Sequence, residues 1–245
     1  MDLKHSPQAT FHQVLRNECL QEWYSGPQGQ RVRKALGAQI AHFCRPRFGD
    51  LWLEVGPVSL LRPEWTGAAM VLHADRQSSI LRAEADYLPL AADRFSCLLL
   101  AHALGDAPDD VDAQASVIAE AARVLAPEGY LFLLESGHCA APGRLGIQAA
   151  LPLGLRRLRL RQLLAAADLG VRRQVALSVL SARLPASWHR RFGRLDGTLS
   201  PRLPLLGSVV LTVARRRDLI PITPATSRLR WSRGPLRAGG TSQWA

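Results

Sequence analysis

The residues best suited to chemistry lie at the ends of short apolar segments. Glu54 ends the segment Leu51-Trp52-Leu53-Glu54 and is followed two residues later by Gly56. A carboxylate at such an end accepts hydrogen bonds from the cationic or hydroxyl group of a ligand. A glycine beside it leaves a place where a ligand lies directly against the backbone. Asp75 ends a second apolar segment in the same way. This pattern predicts a ligand site, although it also fits strands that simply end in turns.

The apolar pattern predicts strands that alternate with helices. We expect strands over residues 51–55, 68–75, 83–90, 95–101, 130–134, 171–180 and 205–214. We expect helices over residues 28–43, 111–125 and 158–169. Gly170 is expected to cap the last of these helices. Alternation of this kind favours a parallel sheet with right-handed crossovers. In such a sheet the ends of neighbouring strands share one edge, where ligands bind.

Length and composition indicate one soluble domain. The 245 residues can bury a full core. No apolar run reaches the roughly 18 residues that a membrane span needs, and no signal peptide is evident. The four cysteines lie far apart without a C-x-x-C pattern, which favours reduced thiols and a cytoplasmic location. The seven histidines and four cysteines show no ligand spacing, so we expect no metal site.

Charge is concentrated in the C-terminal part. Residues 141–245 contain 19 arginines, no lysine and three acidic residues. A basic segment of this kind attracts phosphate-bearing partners, including nucleic acid. The whole chain prefers arginine to lysine, however, so composition alone also explains the pattern. We predict a lead-in over residues 1–27, one domain over 28–223 and a disordered basic tail over 224–245.

Three segments resemble the class I S-adenosylmethionine-dependent methyltransferases, and in particular the methyltransferase type 11 domain. Residues 51–56 (LWLEVG) resemble the first cofactor motif of that family. Residues 85–102 resemble the part of the family sequence that contains an acidic residue, then the motif LPF-D-x-FD, and then the fourth strand. Residues 122–131 resemble the R-V-L-x-P-G-G hairpin of the family. The resemblance covers about residues 28–180. It implies a Rossmann-like α/β fold, with a mostly parallel seven-stranded sheet flanked by helices.

The resemblance implies S-adenosylmethionine as cofactor and gives the acids their roles. Glu54 is expected to approach the methionine amino group, directly or through water. Asp75 is expected to accept hydrogen bonds from the two ribose hydroxyls, and Asp86 from the adenine amino group. Gly56 lets the chain pass under the cofactor.

Four further residues are implied as cofactor contacts. The Tyr87 backbone N–H is expected on the adenine ring, and Leu88 is expected to line the adenine pocket. Ala101 and His102 are expected to form the floor near the reacting methyl group. No catalytic residue is identified, because methyl transfer from a sulfonium needs mainly alignment of donor and acceptor.

The chain departs from the family at the glycine loop. Where the family has Gly-x-Gly-x-Gly, this chain has Gly56-Pro57-Val58-Ser59-Leu60, so two glycines are missing and Pro57 removes a backbone donor. Three hypotheses therefore remain open. The protein is an active methyltransferase of a small molecule, a cofactor-free subunit that binds a protein partner, or a nucleic-acid-associated protein.

Overall fold

The computed structural model describes residues 17–66, 70–74, 81–106, 110–136, 153–178 and 209–217. The helices are α1 (17–25), α2 (Pro27–Phe43), α3 (Pro63–Thr66), α4 (Val111–Val124) and α5 (Leu153–Ala166), with a 3-10 helix at Ala103–Asp106. The strands are β1 (Leu51–Val55), β2 (Met70–Ala74), β3 (Phe95–Ala101), β4 (Leu125–Ser136), β5 (Leu169–Ser178) and β6 (Val209–Arg216).

The strands form one mixed sheet in the order β2-β1-β3-β4-β6-β5. The first four strands in this order are parallel, and β6 runs antiparallel to both β4 and β5. β1 lies between β2 and β3, so the chain leaves β1 toward one side and later returns to its other side. Such a reversal of direction is the switch point at which open α/β sheets bind ligands.

The sheet is buried on both faces. One face packs against α1 and α2, where the fully buried side chains include Leu20, Tyr24, Val32, Leu36, Ile40, Trp52, Leu99 and Phe132. The other face packs against α4 and α5, where they include Leu53, Val55, Leu98, Leu100, Ile118, Leu131, Leu133 and Leu164. Burial from both sides explains why β3 and β4 are almost continuously apolar rather than alternating.

The predicted α/β fold is confirmed, with six strands rather than seven in the described part of the chain. The strand expected over residues 83–90 is absent there, and only an isolated bridge joins Glu84 and Tyr87. The physical reason lies at Leu88. Its N–H donates to Glu120 Oε1 (2.8 Å), and its carbonyl accepts from the Arg123 guanidinium (3.0 Å). Side chains of α4 therefore take the backbone groups that a strand would give to a neighbour.

The helix cap expected at Gly170 is wrong. α5 ends at Ala166, and Asp168 adopts the left-handed conformation after it, with φ of 56°. Aspartate tolerates this conformation better than most residues. Gly170 instead lies within β5, opposite Arg215 of β6.

The helical residues 17–25 belong to the same core as the sheet, because Leu20 and Tyr24 pack with α2 and β1. The domain boundaries at residues 27 and 223 stay predictions. Residues 1–16 and the tail over 224–245 lie outside the described residues. None of the helices within the described ranges is long and apolar enough to cross a membrane.

Candidate functional site

The ends of β1 and β3 meet at the switch point of the sheet. Val55 pairs with Leu100, so Gly56 comes next to Ala101 at the adjoining ends. Gly56 has φ of 143°, and a Cβ on it would lie 2.9 Å from the Ala101 carbonyl carbon and closer still to the oxygen. Its N–H donates to the carbonyl of Ala74 at the end of β2 (3.1 Å). The chain itself therefore requires a glycine here, whether or not a cofactor lies above it.

Glu54 is 1% exposed, and its carboxylate is surrounded by donors from the chain. Oε1 accepts from the backbone N–H groups of Leu60 (2.6 Å) and Leu61 (3.2 Å). Oε2 accepts from the Ser59 hydroxyl (3.1 Å) and lies 3.4 Å from His73 Nδ1. A carboxylate has about four lone-pair positions. Three of them accept hydrogen bonds from the loop after β1, so this loop is fixed by the acid that ends the strand.

The two positions where the family has its later glycines carry core side chains. Val58 and Leu60 are 1% and 0% exposed and pack in the core beneath α1 and α2. α3, which follows this loop, is only one turn long. The loop is therefore held by apolar burial and by Glu54 instead of by close backbone packing at glycines.

A buried polar cluster covers the end of β3. The Tyr24 hydroxyl lies 2.7 Å from His102 Nε2, and Ser136 Oγ of β4 lies 3.4 Å from His102 Nδ1. His102 adopts a left-handed backbone conformation (φ 59°) and donates its N–H to the Leu134 carbonyl (2.9 Å). Burial raises the pKa of the Tyr24 phenol far above its usual range, although the nearby Arg33 acts in the opposite direction. The phenol therefore stays protonated and is able to donate to the imidazole.

Two arginines lie beside this cluster. The Arg33 guanidinium lies over the Tyr24 ring, 5.7 Å from its centroid, and its Nε is buried with no hydrogen-bond partner among the described residues. Arg62 donates to Gln30 Oε1 (3.0 Å). Burial, and next the positive charge of Arg62, lower the pKa of Arg33. Neither guanidinium forms an ion pair with a carboxylate among the described residues.

The turn after β2 presents the remaining predicted contacts. Asp86 is exposed and Tyr87 is 76% exposed, while Leu88 is buried in the core that contains Val55, Ala74 and Leu100. Glu120 and Arg123 clamp the Leu88 backbone, which fixes this turn against α4. The Tyr87 N–H, which was expected on the adenine ring, donates to the Glu84 carbonyl (3.1 Å).

The structure thus brings together Glu54, Gly56, Ala101 and His102 at the switch point and holds Leu88 in the adjoining core. Asp75 lies outside the described residues. The cofactor roles of all eight predicted residues stay predictions.

Sequence reasoning missed the residues that surround these contacts. Tyr24 lies within the predicted lead-in over residues 1–27, and neither Arg33 nor Arg62 belongs to a recognisable motif. Arg33 lies on the predicted helix over 28–43, but its sequence position gives no indication that its side chain reaches the site. No group of three or more His, Cys, Asp or Glu that suits a metal ion occurs within the described ranges.

Comparison with known proteins reveals similarity only at the level of the fold. No protein-family model matches the sequence, and no curated protein matches it. The chain is similar to the solved complex of the Haloferax volcanii Trm112 methyltransferase activator with a protein assigned as a methyltransferase (TM-score 0.53, 16% identity, 83% of this chain and 98% of that chain). Further similar structures are methyltransferases from Aquifex aeolicus (0.48, 12%, 78% and 94%) and Methanosarcina mazei (0.46, 15%, 73% and 97%).

The strand order and the similarity to the Haloferax volcanii structure identify the fold. The chain has the class I fold of the S-adenosylmethionine-dependent methyltransferases.

The described residues fit that cofactor unevenly. The fixed turn at Leu88 and the exposed Asp86 suit an adenine. At the other end, the Glu54 carboxylate already accepts three hydrogen bonds from its own loop, whereas the guanidinium groups of Arg33 and Arg62 form no ion pair among the described residues.

Proposed function

We propose that this protein is an S-adenosylmethionine-dependent methyltransferase that acts on a small molecule. One observation carries the proposal. The acid-tipped strand β1, Gly56 and the β3 end at Ala101 and His102 adjoin at the switch point of a class I fold. Ligands of open α/β sheets bind at that point.

The residues of the chain have distinct tasks in this proposal. Asp86 accepts a hydrogen bond from the adenine amino group, and Leu88 provides an apolar surface for the ring. Gly56 and Ala101 form the floor beneath the reacting group. When bound, the cofactor supplies a methyl group on a positively charged sulfur. The chain contributes mainly alignment, which is worth many orders of magnitude in rate for a transfer between two bound molecules.

Calorimetric titration with S-adenosylhomocysteine tests the proposal without knowledge of the acceptor. We expect saturable binding to the wild type and weaker binding to Asp86→Ala. Loss of a hydrogen bond to a charged group costs about 1.5–3 kcal/mol, which corresponds to a roughly 10- to 150-fold weaker affinity. Asp112→Ala is the matched control, because it removes an equally exposed carboxylate from the first turn of α4.

Two results would count against the proposal. Absence of heat with both S-adenosylmethionine and S-adenosylhomocysteine, from protein that melts cooperatively, would remove cofactor binding. Equal affinity of Asp86→Ala, Asp112→Ala and the wild type would place the adenosine elsewhere.

A second candidate function is a cofactor-free subunit that binds a protein partner. It is supported by the three hydrogen bonds that the Glu54 carboxylate accepts from its own loop. The similar Haloferax volcanii structure is a complex with an activator protein, which makes a protein partner a reasonable expectation. This candidate predicts no cofactor heat and a heterodimer of defined mass in native mass spectrometry of protein from its source cells. A monomer that binds S-adenosylhomocysteine would contradict it.

A further inference from the structure

We infer that Arg33 and Arg62 form a binding site for the carboxylate or phosphate group of a small ligand at the ends of β1 and β3. The inference rests on the proposed function for its adenosine probes, but the site itself is argued from the geometry of the two side chains.

Hydrogen bonds and stacking place the two arginines beside the switch point. Arg62 follows Leu61, whose N–H donates to the Glu54 carboxylate (3.2 Å) at the end of β1. Arg33 stacks on the Tyr24 ring, and the Tyr24 hydroxyl lies 2.7 Å from His102 at the end of β3. The pair therefore lies beside both strand ends that the switch point joins.

One amide holds this arrangement together. Gln30 accepts from the Arg62 guanidinium (3.0 Å) and donates from Nε2 to the Tyr24 carbonyl (3.2 Å). Arg62 is thereby tied to the residue on which Arg33 stacks. A site whose donors are fixed before binding loses less conformational entropy when a ligand arrives.

Neither arginine of the pair forms an ion pair with a carboxylate among the described residues. Burial and the charge of Arg62 lower the pKa of Arg33, and the negative charge of Glu54 only partly offsets them, while the Glu54 oxygens accept hydrogen bonds from its own loop. The buried Nε–H of Arg33 has no acceptor among the described residues, which is unfavourable for the fold on its own.

The two guanidinium groups indicate which chemical group of a ligand would bind here. Their donors match the two oxygens of a carboxylate or phosphate, with which they form paired hydrogen bonds. Two sources of such a group are compatible with the site. One is the α-carboxylate of the cofactor, and the other is an acidic group on the methyl acceptor.

Calorimetry with two adenosine compounds, together with an anion titration, distinguishes these sources. S-adenosylhomocysteine carries an α-carboxylate, and 5′-methylthioadenosine is the corresponding thioether without the amino acid. Inorganic phosphate, titrated at constant ionic strength with chloride as reference, reports anion binding through the melting temperature. The variants are Arg33→Gln and Arg62→Gln, and Lys34→Gln removes an exposed charge from the same helix as a control.

A cofactor carboxylate predicts that both arginine variants weaken S-adenosylhomocysteine about tenfold or more and leave 5′-methylthioadenosine unchanged. An acidic acceptor predicts unchanged adenosine affinities and loss of saturable stabilisation by phosphate. Either result supports the site, provided that Lys34→Gln behaves as the wild type. The inference is overturned if the arginine variants match Lys34→Gln with all three probes. If the wild type binds neither adenosine compound, the proposed function fails while the phosphate titration still decides on the site.

Discussion

Replacement of Tyr24 by phenylalanine tests the buried cluster that covers the end of β3. The substitution keeps the ring, its contact with Trp23 and its place beneath Arg33, and removes only the hydroxyl that lies 2.7 Å from His102 Nε2. Tyr24 is 0% exposed, so water does not replace the lost bond. Loss of one partner of a buried hydrogen bond costs about 1–3 kcal/mol. We therefore expect the free energy of unfolding to fall by about that amount.

Urea denaturation with circular dichroism measures this change, and Tyr87→Phe is the matched control. Tyr87 is 76% exposed, so removal of its hydroxyl is expected to alter the free energy of unfolding by less than about 0.5 kcal/mol. The slope of the unfolding curve should stay constant in both variants, because the surface exposed on unfolding does not change. Equal stability of Tyr24→Phe and Tyr87→Phe would refute the reasoning, since the Tyr24 hydroxyl would then contribute nothing to the fold.

Three further experiments test the close contact at Gly56, the bond between Glu120 and Arg123, and the arginine-rich C-terminal part. Gly56→Ala should lower the free energy of unfolding by at least about 3 kcal/mol, because the added Cβ overlaps the Ala101 carbonyl. Gly49→Ala is the matched control. Gly49 has φ of 88° and no atom within 4 Å of the added Cβ, so the substitution should cost only the backbone strain of about 1 kcal/mol. Thermal melts of both variants check this, and equal losses would show that the contact with Ala101 is irrelevant. The hydrogen bond from Arg123 holds the pKa of Glu120 below its usual range, so Glu120 should stabilise the fold above its unfolded-state pKa of about 4.3. The difference in melting temperature between wild type and Glu120→Gln should therefore be largest near neutral pH and shrink as the pH falls below about 4, and a difference independent of pH would contradict the clamp. The hypothesis of nucleic-acid binding by the arginine-rich C-terminal part predicts affinity for RNA or DNA that falls steeply with salt, and flat or absent binding at low salt would end that hypothesis.

Much of the sheet could be predicted because its strands are short apolar segments of a characteristic length. Strands β1 and β3 and helices α2 and α4 agree with expectation to within one residue. The strand predicted over 83–90 is wrong because the backbone N–H and carbonyl of Leu88 bond to Glu120 and Arg123, which lie more than 30 positions away in the sequence. Local propensity contains no information about a competitor that distant in sequence.

The site was less predictable than the fold for a similar reason. The pattern at Glu54 and Gly56 located the end of β1 correctly, but it could not indicate that the carboxylate bonds to its own loop. That outcome depends on where Leu60 and Leu61 turn, and the turn depends on burial of Val58 and Leu60 beneath α1 and α2. Tyr24 and Arg33 reach the site only through helix packing, which sequence patterns near the strands do not encode.

A crystal structure grown with saturating S-adenosylhomocysteine tests the central claim most directly. We expect the ligand at the adjoining ends of β1 and β3, with its adenine amino group within hydrogen-bond distance of Asp86 and its thioether above Gly56. Crystals of the same protein with no ligand density at that point would contradict the account, as would a ligand bound on another edge of the sheet.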